Sequence, residues 1–235
     1  MQSIQVLGIC GSPRKNKSSR FMLDFALEAA EATAPEIVKI ELYSISGKTF
    51  HPCDSCHQCE RLGYCRKTDD DFAELRDKWL AADAVIYSVP VYHMGIPSQL
   101  KSFIDRVGHS VQEGFNDRAL KVMGFLTSGS GFASGQESVM IFLNSHAVMM
   151  GCIPIGGLWP VGYIGVGARA PYPKTMRAAY AEQDEHTVEV VKATKELGKQ
   201  IVLVTMLLKS GGAQNRELLK QNGGFNLFLQ RLGSS

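Results

Sequence analysis

The feature that most constrains the fold is an alternation of short apolar runs with stretches of helical spacing. The runs lie at Ile4–Ile9, Ile37–Leu42, Ala84–Val89, Leu120–Thr127 and Cys152–Val161. Helical spacing of apolar residues occurs between and after them, at about 18–32, 68–80, 100–107, 136–149 and 184–208. Strands that alternate with helices in this way predict a parallel sheet with helices on both faces, connected by right-handed crossovers.

The number of runs predicts a doubly wound α/β fold with a five-stranded parallel sheet. We expect the order 2-1-3-4-5 of flavodoxin-like proteins, which places a ligand at the carboxyl ends of strands one, three and four. The length of 235 residues suits one large domain. We assign this domain to residues 1–209, with a cysteine-rich loop at 51–66, and we predict a C-terminal helical tail at 210–235.

Charge and hydropathy exclude several classes of partner. Lys and Arg number 25 against 23 Asp and Glu, a formal charge of +2, so we expect no nucleic-acid partner, which needs a clustered basic surface. The longest apolar stretch, Ile201–Leu208, is far shorter than the roughly 20 residues of a membrane helix. No signal-like segment is recognisable at Met1, and we therefore expect a cytoplasmic protein with reduced thiols.

Two helices have patterns that predict how they pack. The apolar face of the helix at 100–107 consists of Leu100, Phe103, Ile104 and Val107. The side chains predicted to lie off that face are Lys101, Asp105 and Arg106. The preceding helix is predicted to open with a capping box at Thr68–Asp71 and to run to about Leu80.

A polar loop, Gly11–Ser19, joins the first strand to the first helix. A phosphate bound there would meet free backbone N–H groups and the positive end of the helix dipole. The hydroxyls of Ser12, Ser18 and Ser19 add donors, and Arg14 or Lys17 can neutralise charge. The alternative is an ordinary polar turn with a serine N-cap.

Two further loops follow the third and fourth strands. Ser88–Pro97 carries an aromatic ring and a methionine, and Thr127–Gly131 carries small donors and glycines. Taken singly, Tyr92 and Met94 could be packing residues and His93 an exposed loop histidine. At one sheet edge, the three loops together suit a planar heterocycle on a phosphorylated chain, which describes flavin mononucleotide (FMN).

Three motifs resemble the NAD(P)H-dependent FMN reductase family of flavodoxin-like proteins: Gly11–Arg14, Ser88–Tyr92 and Leu100–Arg106. The resemblance covers roughly the first 165 residues and implies that FMN phosphate, ribityl chain and ring contact the three loops in turn. The implied FMN contacts are Ser12, Arg14, Asn16, Lys17, Ser18, Ser19, Pro90, Val91, Tyr92, His93, Met94, Gly95, Thr127, Ser128, Gly129 and Ser130. It also implies a homodimer or homotetramer.

Four of the six cysteines form a compact run, Cys53-x2-Cys56-x2-Cys59-x5-Cys65. Thiolates at such spacings can hold a 4Fe–4S cluster, and the run resembles the iron–sulfur flavoprotein branch of the same family. Four thiolates could instead hold zinc, although structural zinc sites usually combine two separated pairs. A third alternative is that they are free thiols without a metal.

The leading functional prediction is an FMN-dependent oxidoreductase of the flavin- or quinone-reductase type. It would take a hydride from NAD(P)H onto FMN and pass electrons to a small acceptor, and no side chain is assigned as catalytic because the cofactor carries the chemistry. The alternative is an electron carrier with FMN and a 4Fe–4S cluster, served by a ferredoxin-like partner. A third candidate is a non-catalytic module with structural zinc.

Overall fold

The computed structural model of the chain describes residues 3–111 and 117–233. Its strands are β1 (Ile4–Cys10), β2 (Val38–Ser44), β3 (Ala84–Pro90), β4 (Val122–Gly129), β5 (Ile153–Ile155) and β6 (Val166–Arg169). Its helices are α1 (Ser18–Thr33), α2 (Gln58–Leu62), α3 (Phe72–Ala81), α4 (Ser98–Val111), α5 (Gln136–Met149), α6 (Met176–Ala181), α7 (Glu185–Gln214), α8 (Arg216–Asn222) and α9 (Asn226–Arg231).

The sheet has the predicted order β2-β1-β3-β4-β5, and every pair of neighbouring strands is parallel. Helices α1 and α7 supply apolar side chains to the core on one face, and α3, α4 and α5 supply them on the other. Strand β3 is buried along its whole length, which accounts for its continuous apolar sequence. The fold prediction of a doubly wound, flavodoxin-like sheet is therefore confirmed.

The predicted fifth strand, at 152–161, is wrong in its extent. Strand β5 is only three residues long and pairs with Val122–Gly124, while β6 pairs with Leu126–Gly129 farther along the same edge of β4. Between them the chain leaves the sheet in a turn where Gly157 donates to the carbonyl of Gly162. A further strand, β6, therefore lies beyond the predicted end of the fifth strand at residue 161.

The predicted capping box at Thr68–Asp71 does not form. Asp71 is the N-cap residue of α3, but its side chain makes no capping bond, and Asp70 Oδ1 accepts the N–H of Phe72 at 3.2 Å. The carboxylate of Asp71 instead accepts the N–H of Thr49 at 2.8 Å. The acidic run thus ties α3 to the chain around residue 50 and to α4, contacts that the sequence pattern does not show.

Helix α7 continues to Gln214, beyond the predicted domain boundary at 209, and α8 and α9 follow it. The tail packs against its own subunit, where Phe228 and Leu229 contact a small apolar cluster that includes Leu120. Arg231 donates to the carbonyl of Leu120 at 3.2 Å. These contacts lie at the amino ends of the strands, the opposite end of the sheet from the predicted ligand site. The division at residue 209 stays a prediction.

The structure bears on the predicted absence of a membrane segment. Among the helices in residues 3–111 and 117–233, none combines the length and the apolar composition that a bilayer-spanning segment needs. The cytoplasmic location and the absence of a nucleic-acid partner stay predictions.

Candidate cofactor cleft and cysteine cavity

A cleft of about 540 Å³ opens at the carboxyl ends of β1, β3 and β4. It brings together nine of the predicted FMN contacts: Arg14, Asn16, Lys17, Ser18, Pro90, Val91, Ser128, Gly129 and Ser130. Its volume lies within the range of small-molecule and cofactor sites. Ser12, Ser19, Tyr92, His93, Met94, Gly95 and Thr127 lie in or beside the same loops but do not line this cleft.

The loop between β1 and α1 leaves the helix end open to a ligand. Lys17 is the N-cap residue, and within the described part of the chain no side chain caps α1 and no acidic residue lies in its first turn. The first amides of α1 and its dipole can therefore meet an anion. Ser12 is buried, and its Oγ accepts the N–H of Arg14 at 3.2 Å, so this serine shapes the loop from within.

The loop after β3 turns tightly at the mouth of the cleft. Tyr92 and Gly95 exchange two backbone hydrogen bonds of 2.9 Å, and His93 and Met94 both have left-handed φ angles of 47° and 66°. Tyr92 and Met94 are exposed by 38% and 57%, which argues against the alternative that they are core packing residues. Gly135, with φ of 101°, packs on this turn, and a Cβ there would stand 3.0 Å from Met94 Cα.

The end of β4 holds an unsatisfied polar group. Thr127 is fully buried, and among the described residues its Oγ1 has no hydrogen-bond partner. A buried hydroxyl without a partner costs about 1–3 kcal/mol, and because Thr127 does not line the cleft, this cost falls within the fold. The adjoining loop is fixed by Gln136, whose Nε2 donates to the carbonyl oxygens of Gly131 at 2.7 Å and Ala168 at 3.2 Å.

The outer wall of the cleft consists of residues 170–177, none of which was among the predicted site residues. Thr175 caps α6 there by accepting the N–H of Ala178 at 3.2 Å, and this N-cap threonine was the available signal. The wall adds Lys174 and Arg177 to Arg14 and Lys17, and the residues that line the cleft include no carboxylate. The electrostatics therefore favour an anionic ligand such as a phosphate.

A second cavity lies in the cysteine-rich loop. All four cysteines of the run, Cys53, Cys56, Cys59 and Cys65, line it. Burial raises the pKa of the Cys59 thiol, and the nearby thiols of Cys65 and Cys53 act in the same direction. Over the described ranges 3–111 and 117–233, no three His, Cys, Asp or Glu side chains are placed to hold a metal ion. The structure thus gathers four free thiols around one cavity without closing them on a metal.

Three cations and a hydroxyl also line the cysteine cavity: Arg66, Lys67, Arg106 and Ser110. The sequence pattern places Arg106 off the apolar face of α4, and the structure shows that its side chain is nevertheless buried. Its Nε donates to Cys65 Sγ at 3.3 Å. The hydroxyl of Ser110 is buried and has no partner in the described part of the chain. Four thiols and an unused donor suit an iron–sulfur cluster in chemistry, while Asp54 also lines the cavity and pairs with Arg66 at 3.4 Å and with Lys67 at 3.3 Å.

A flavodoxin-like sheet with a cleft at its carboxyl edge is the arrangement in which doubly wound α/β proteins bind ligands. The sequence profile described as NADPH-dependent FMN reductase matches residues 4–164, and the chain therefore belongs to this family of oxidoreductases, whose cofactor is FMN. The resemblance drawn from the three motifs is confirmed.

Relatives and a solved structure agree with this assignment. An iron-sulfur flavoprotein of Methanocaldococcus jannaschii is 29% identical over 206 residues, which cover 88% of this chain and all of that protein. An iron-sulfur flavoprotein of Methanosarcina thermophila is 33% identical over 155 residues, covering 65% of this chain and 78% of that protein. The crystal structure of a flavodoxin, WrbA-like protein from Agrobacterium tumefaciens superposes with a TM-score of 0.56 at 18% identity, covering 88% of this chain and 99% of that one.

Proposed function

We propose that this protein is an FMN-dependent NAD(P)H oxidoreductase that passes electrons from a reduced nicotinamide to a small acceptor such as a quinone or a free flavin. The single observation that carries the proposal is the cleft, where an uncapped helix end, four cations and the ends of β3 and β4 meet. The family supports FMN and a nicotinamide co-substrate.

The residues of the cleft divide into three roles in this proposal. The first amides of α1, with Arg14, Lys17 and Ser18, bind the phosphate, because the helix dipole and the side-chain charges both favour an anion there. Ser128 to Ser130 donate to the polar edge of the ring. The turn with Tyr92 and Met94, which is exposed beside the cleft, would contact the ring. FMN, when bound, supplies the hydride-accepting ring, and the chain binds and orients it.

The phosphate role can be tested by titrating the flavin-free protein with FMN and, separately, with riboflavin, and following the quenching of flavin fluorescence. Riboflavin has the same ring without the phosphate. We expect FMN to bind at least tenfold more tightly, since charge-assisted hydrogen bonds contribute about 1.5–3 kcal/mol each. Equal affinities would contradict the phosphate assignment, and no binding of either flavin would overturn the proposed function.

The second candidate function is an iron–sulfur flavoprotein that carries electrons between FMN, a 4Fe–4S cluster and a ferredoxin-like partner. The observation that favours it is the cavity lined by four thiols, three cations and the unpartnered Ser110 hydroxyl. The iron-sulfur flavoproteins among the relatives support the same proposal.

Anaerobic reconstitution with iron and sulfide tests this second candidate. About four irons and four sulfides per chain are expected, together with a broad visible absorbance that is lost in Cys56→Ser. Protein that binds stoichiometric zinc and stays colourless would support the structural-zinc alternative instead. Protein that binds neither metal would leave the cysteines as free thiols.

A homodimer or homotetramer is also proposed. Apolar side chains on α5 and on the segment after β5 are exposed by more than half, among them Ile141, Val148, Trp159 and Tyr163. An exposed apolar surface of this kind is typical of a protein–protein interface. Light scattering on the purified protein would give the mass of the assembly, and a monomer across the micromolar range would contradict the proposal.

A further inference from the structure

Helix α4 presents two hydrogen-bond donors to the cysteine cavity, Arg106 and Ser110, which lie one helical turn apart. We propose that α4 positions the cysteine loop and tunes its iron–sulfur site: Arg106 fixes the loop and donates to the Cys65 sulfur, while Ser110 donates to a second sulfur inside the cavity. The tuning part of this inference rests on the iron–sulfur candidate function, whereas the positioning part does not.

Arg106 joins the two ends of the cysteine loop. Its Nη1 donates to the carbonyl of His51 at 3.4 Å, before the first cysteine, and its Nη2 donates to the carbonyl of Lys67 at 2.6 Å, after the last. Between these contacts its Nε reaches Cys65 Sγ. One rigid, planar guanidinium therefore sets where the loop leaves and rejoins the body of the protein.

The charge of Arg106 is balanced inside the protein. Nη1 pairs with Asp70 Oδ2, and both side chains are completely buried. Asp70 also accepts the N–H of His51 at 2.7 Å, so the carboxylate holds the same end of the loop. The guanidinium stacks on Phe72, with its Cζ 4.0 Å from the ring centroid. A buried charge keeps a stable place only when its donors are satisfied, and here three of the acceptors belong to the cysteine loop or its ends.

Ser110 differs from Arg106 because its donor is unused. The oxygen is buried at the wall of the cavity that the four thiols line, and no described residue accepts its proton. A bound group with sulfur atoms in the cavity would provide the acceptor that the Ser110 hydroxyl lacks. Hydrogen bonds to cluster sulfurs stabilise the more negatively charged, reduced form, so each such bond raises the reduction potential.

The tuning role is tested with Ser110→Ala, and Ser102→Ala serves as the matched control. Ser102 lies on the same helix but does not line the cavity. After reconstitution with iron and sulfide, the cluster potential is measured by a redox titration followed by electron paramagnetic resonance. We expect Ser110→Ala to keep the wild-type iron content and to show a lower potential, with Ser102→Ala unchanged. A wild-type potential in Ser110→Ala would overturn the tuning role of Ser110.

The positioning role is tested with Arg106→Lys, which keeps the positive charge beside Asp70 but cannot bridge both ends of the loop. Hydrogen exchange of the amides at 51–67 is expected to quicken about tenfold or more, the effect of losing roughly 1.4 kcal/mol or more. Reconstituted Arg106→Lys is also expected to retain less iron than the wild type. Bound FMN serves as the check that the variant is folded.

Two outcomes would overturn the positioning and tuning roles separately. Wild-type exchange and iron content in Arg106→Lys would remove Arg106 as the positioning residue. If the wild-type chain takes up no iron, the proposed tuning of an iron–sulfur site by Arg106 and Ser110 is overturned. FMN binding in the same sample would show that the proposed flavin function is not affected by this result. The variant Arg66→Gln separates bridging from charge: it removes a positive charge at the same cavity but only an exposed ion pair with Asp54 at 3.4 Å, so it should change loop exchange much less than Arg106→Lys does.

Discussion

The cofactor cleft and the cysteine cavity are built in different ways. The cleft is formed where parallel strands end, so the register of β1, β3 and β4 places its loops side by side. The cysteine loop contains only the five-residue helix α2 and no strand, and it is attached by side chains, above all the buried pair of Arg106 and Asp70. A site made by backbone topology tolerates single substitutions, whereas a site attached by one ion pair depends on both partners.

The largest effect is therefore expected for Asp70→Ala. It would leave the Arg106 guanidinium buried without its counter-charge, which costs about 3–5 kcal/mol. Chemical denaturation should show a loss of this size in the free energy of unfolding, or hydrogen exchange should show the loop at 51–67 opened. Asp69→Ala is the control, because that side chain is 79% exposed. Equal stability of the two variants would mean that the ion pair does not hold the loop.

The pH dependence of the two regions should also differ. On α5, which packs beside the cleft, burial lowers the pKa of His146 to about 4. In the unfolded chain His146 takes up a proton near pH 6.5, whereas in the folded chain it stays neutral down to about pH 4. The free energy of unfolding therefore falls by up to about 3 kcal/mol as the pH decreases from about 6.5 toward 4. His146→Leu should flatten the dependence of unfolding free energy on pH in this window. An unchanged slope would show that another group titrates there.

In the cysteine loop, burial would raise the pKa of Asp70, but the hydrogen bond from Arg106 and the amides of His51 and Phe72 lower it below its usual value. The charged carboxylate of Asp70 therefore stabilises the folded protein above about pH 4. This stabilisation is lost only when the pH falls through the lower pKa that Asp70 has in the folded state. As the pH falls, the packing of α5 around His146 should accordingly lose stability first, and the ion pair of Asp70 with Arg106 should break at a lower pH. Hydrogen exchange at pH 5 would test this order, since the His51 amide should still be protected.

A smaller effect is expected in the cleft from Arg14→Ala. Loss of one charge-assisted contact to phosphate should weaken FMN binding by about 1.5–3 kcal/mol, roughly ten- to a hundredfold in Kd. Lys15→Ala is the matched control, because Lys15 is adjacent and exposed but does not line the cleft. Similar losses of FMN affinity in both variants would mean that the overall positive charge, and not a contact from Arg14, attracts the phosphate. Unchanged affinity in both would contradict the assignment of this loop to the phosphate.

The smallest effect is expected from Thr127→Val, and its sign is diagnostic. The substitution removes a buried hydroxyl without a partner, so the flavin-free protein should be as stable as the wild type or more stable by up to about 1 kcal/mol. FMN affinity should be nearly unchanged, because Thr127 does not line the cleft. A thermal melt with and without FMN measures both, and a destabilised flavin-free variant would mean that the hydroxyl has a partner within the fold.

The sequence was sufficient where backbone periodicity decides the structure. The strands β1 to β4 and the helices α1 and α5 follow from hydrophobic spacing, and the order of the strands follows from the likeness to flavodoxin-like proteins. It was insufficient where side chains choose distant partners. Helical spacing places Arg106 off the apolar face, but its buried acceptors come from residues 36 to 55 positions away, which spacing does not show. The split of the fifth strand likewise depends on the close backbone approach of Gly157 and Gly162.

The most direct test of the central claim is the visible absorbance of bound FMN during anaerobic addition of NADH or NADPH, followed by a quinone. The proposed oxidoreductase predicts that one of the nucleotides bleaches the flavin band and that the quinone restores it. FMN that binds tightly in the cleft yet stays oxidised in the presence of both nucleotides would contradict the claim and favour the electron-carrier function.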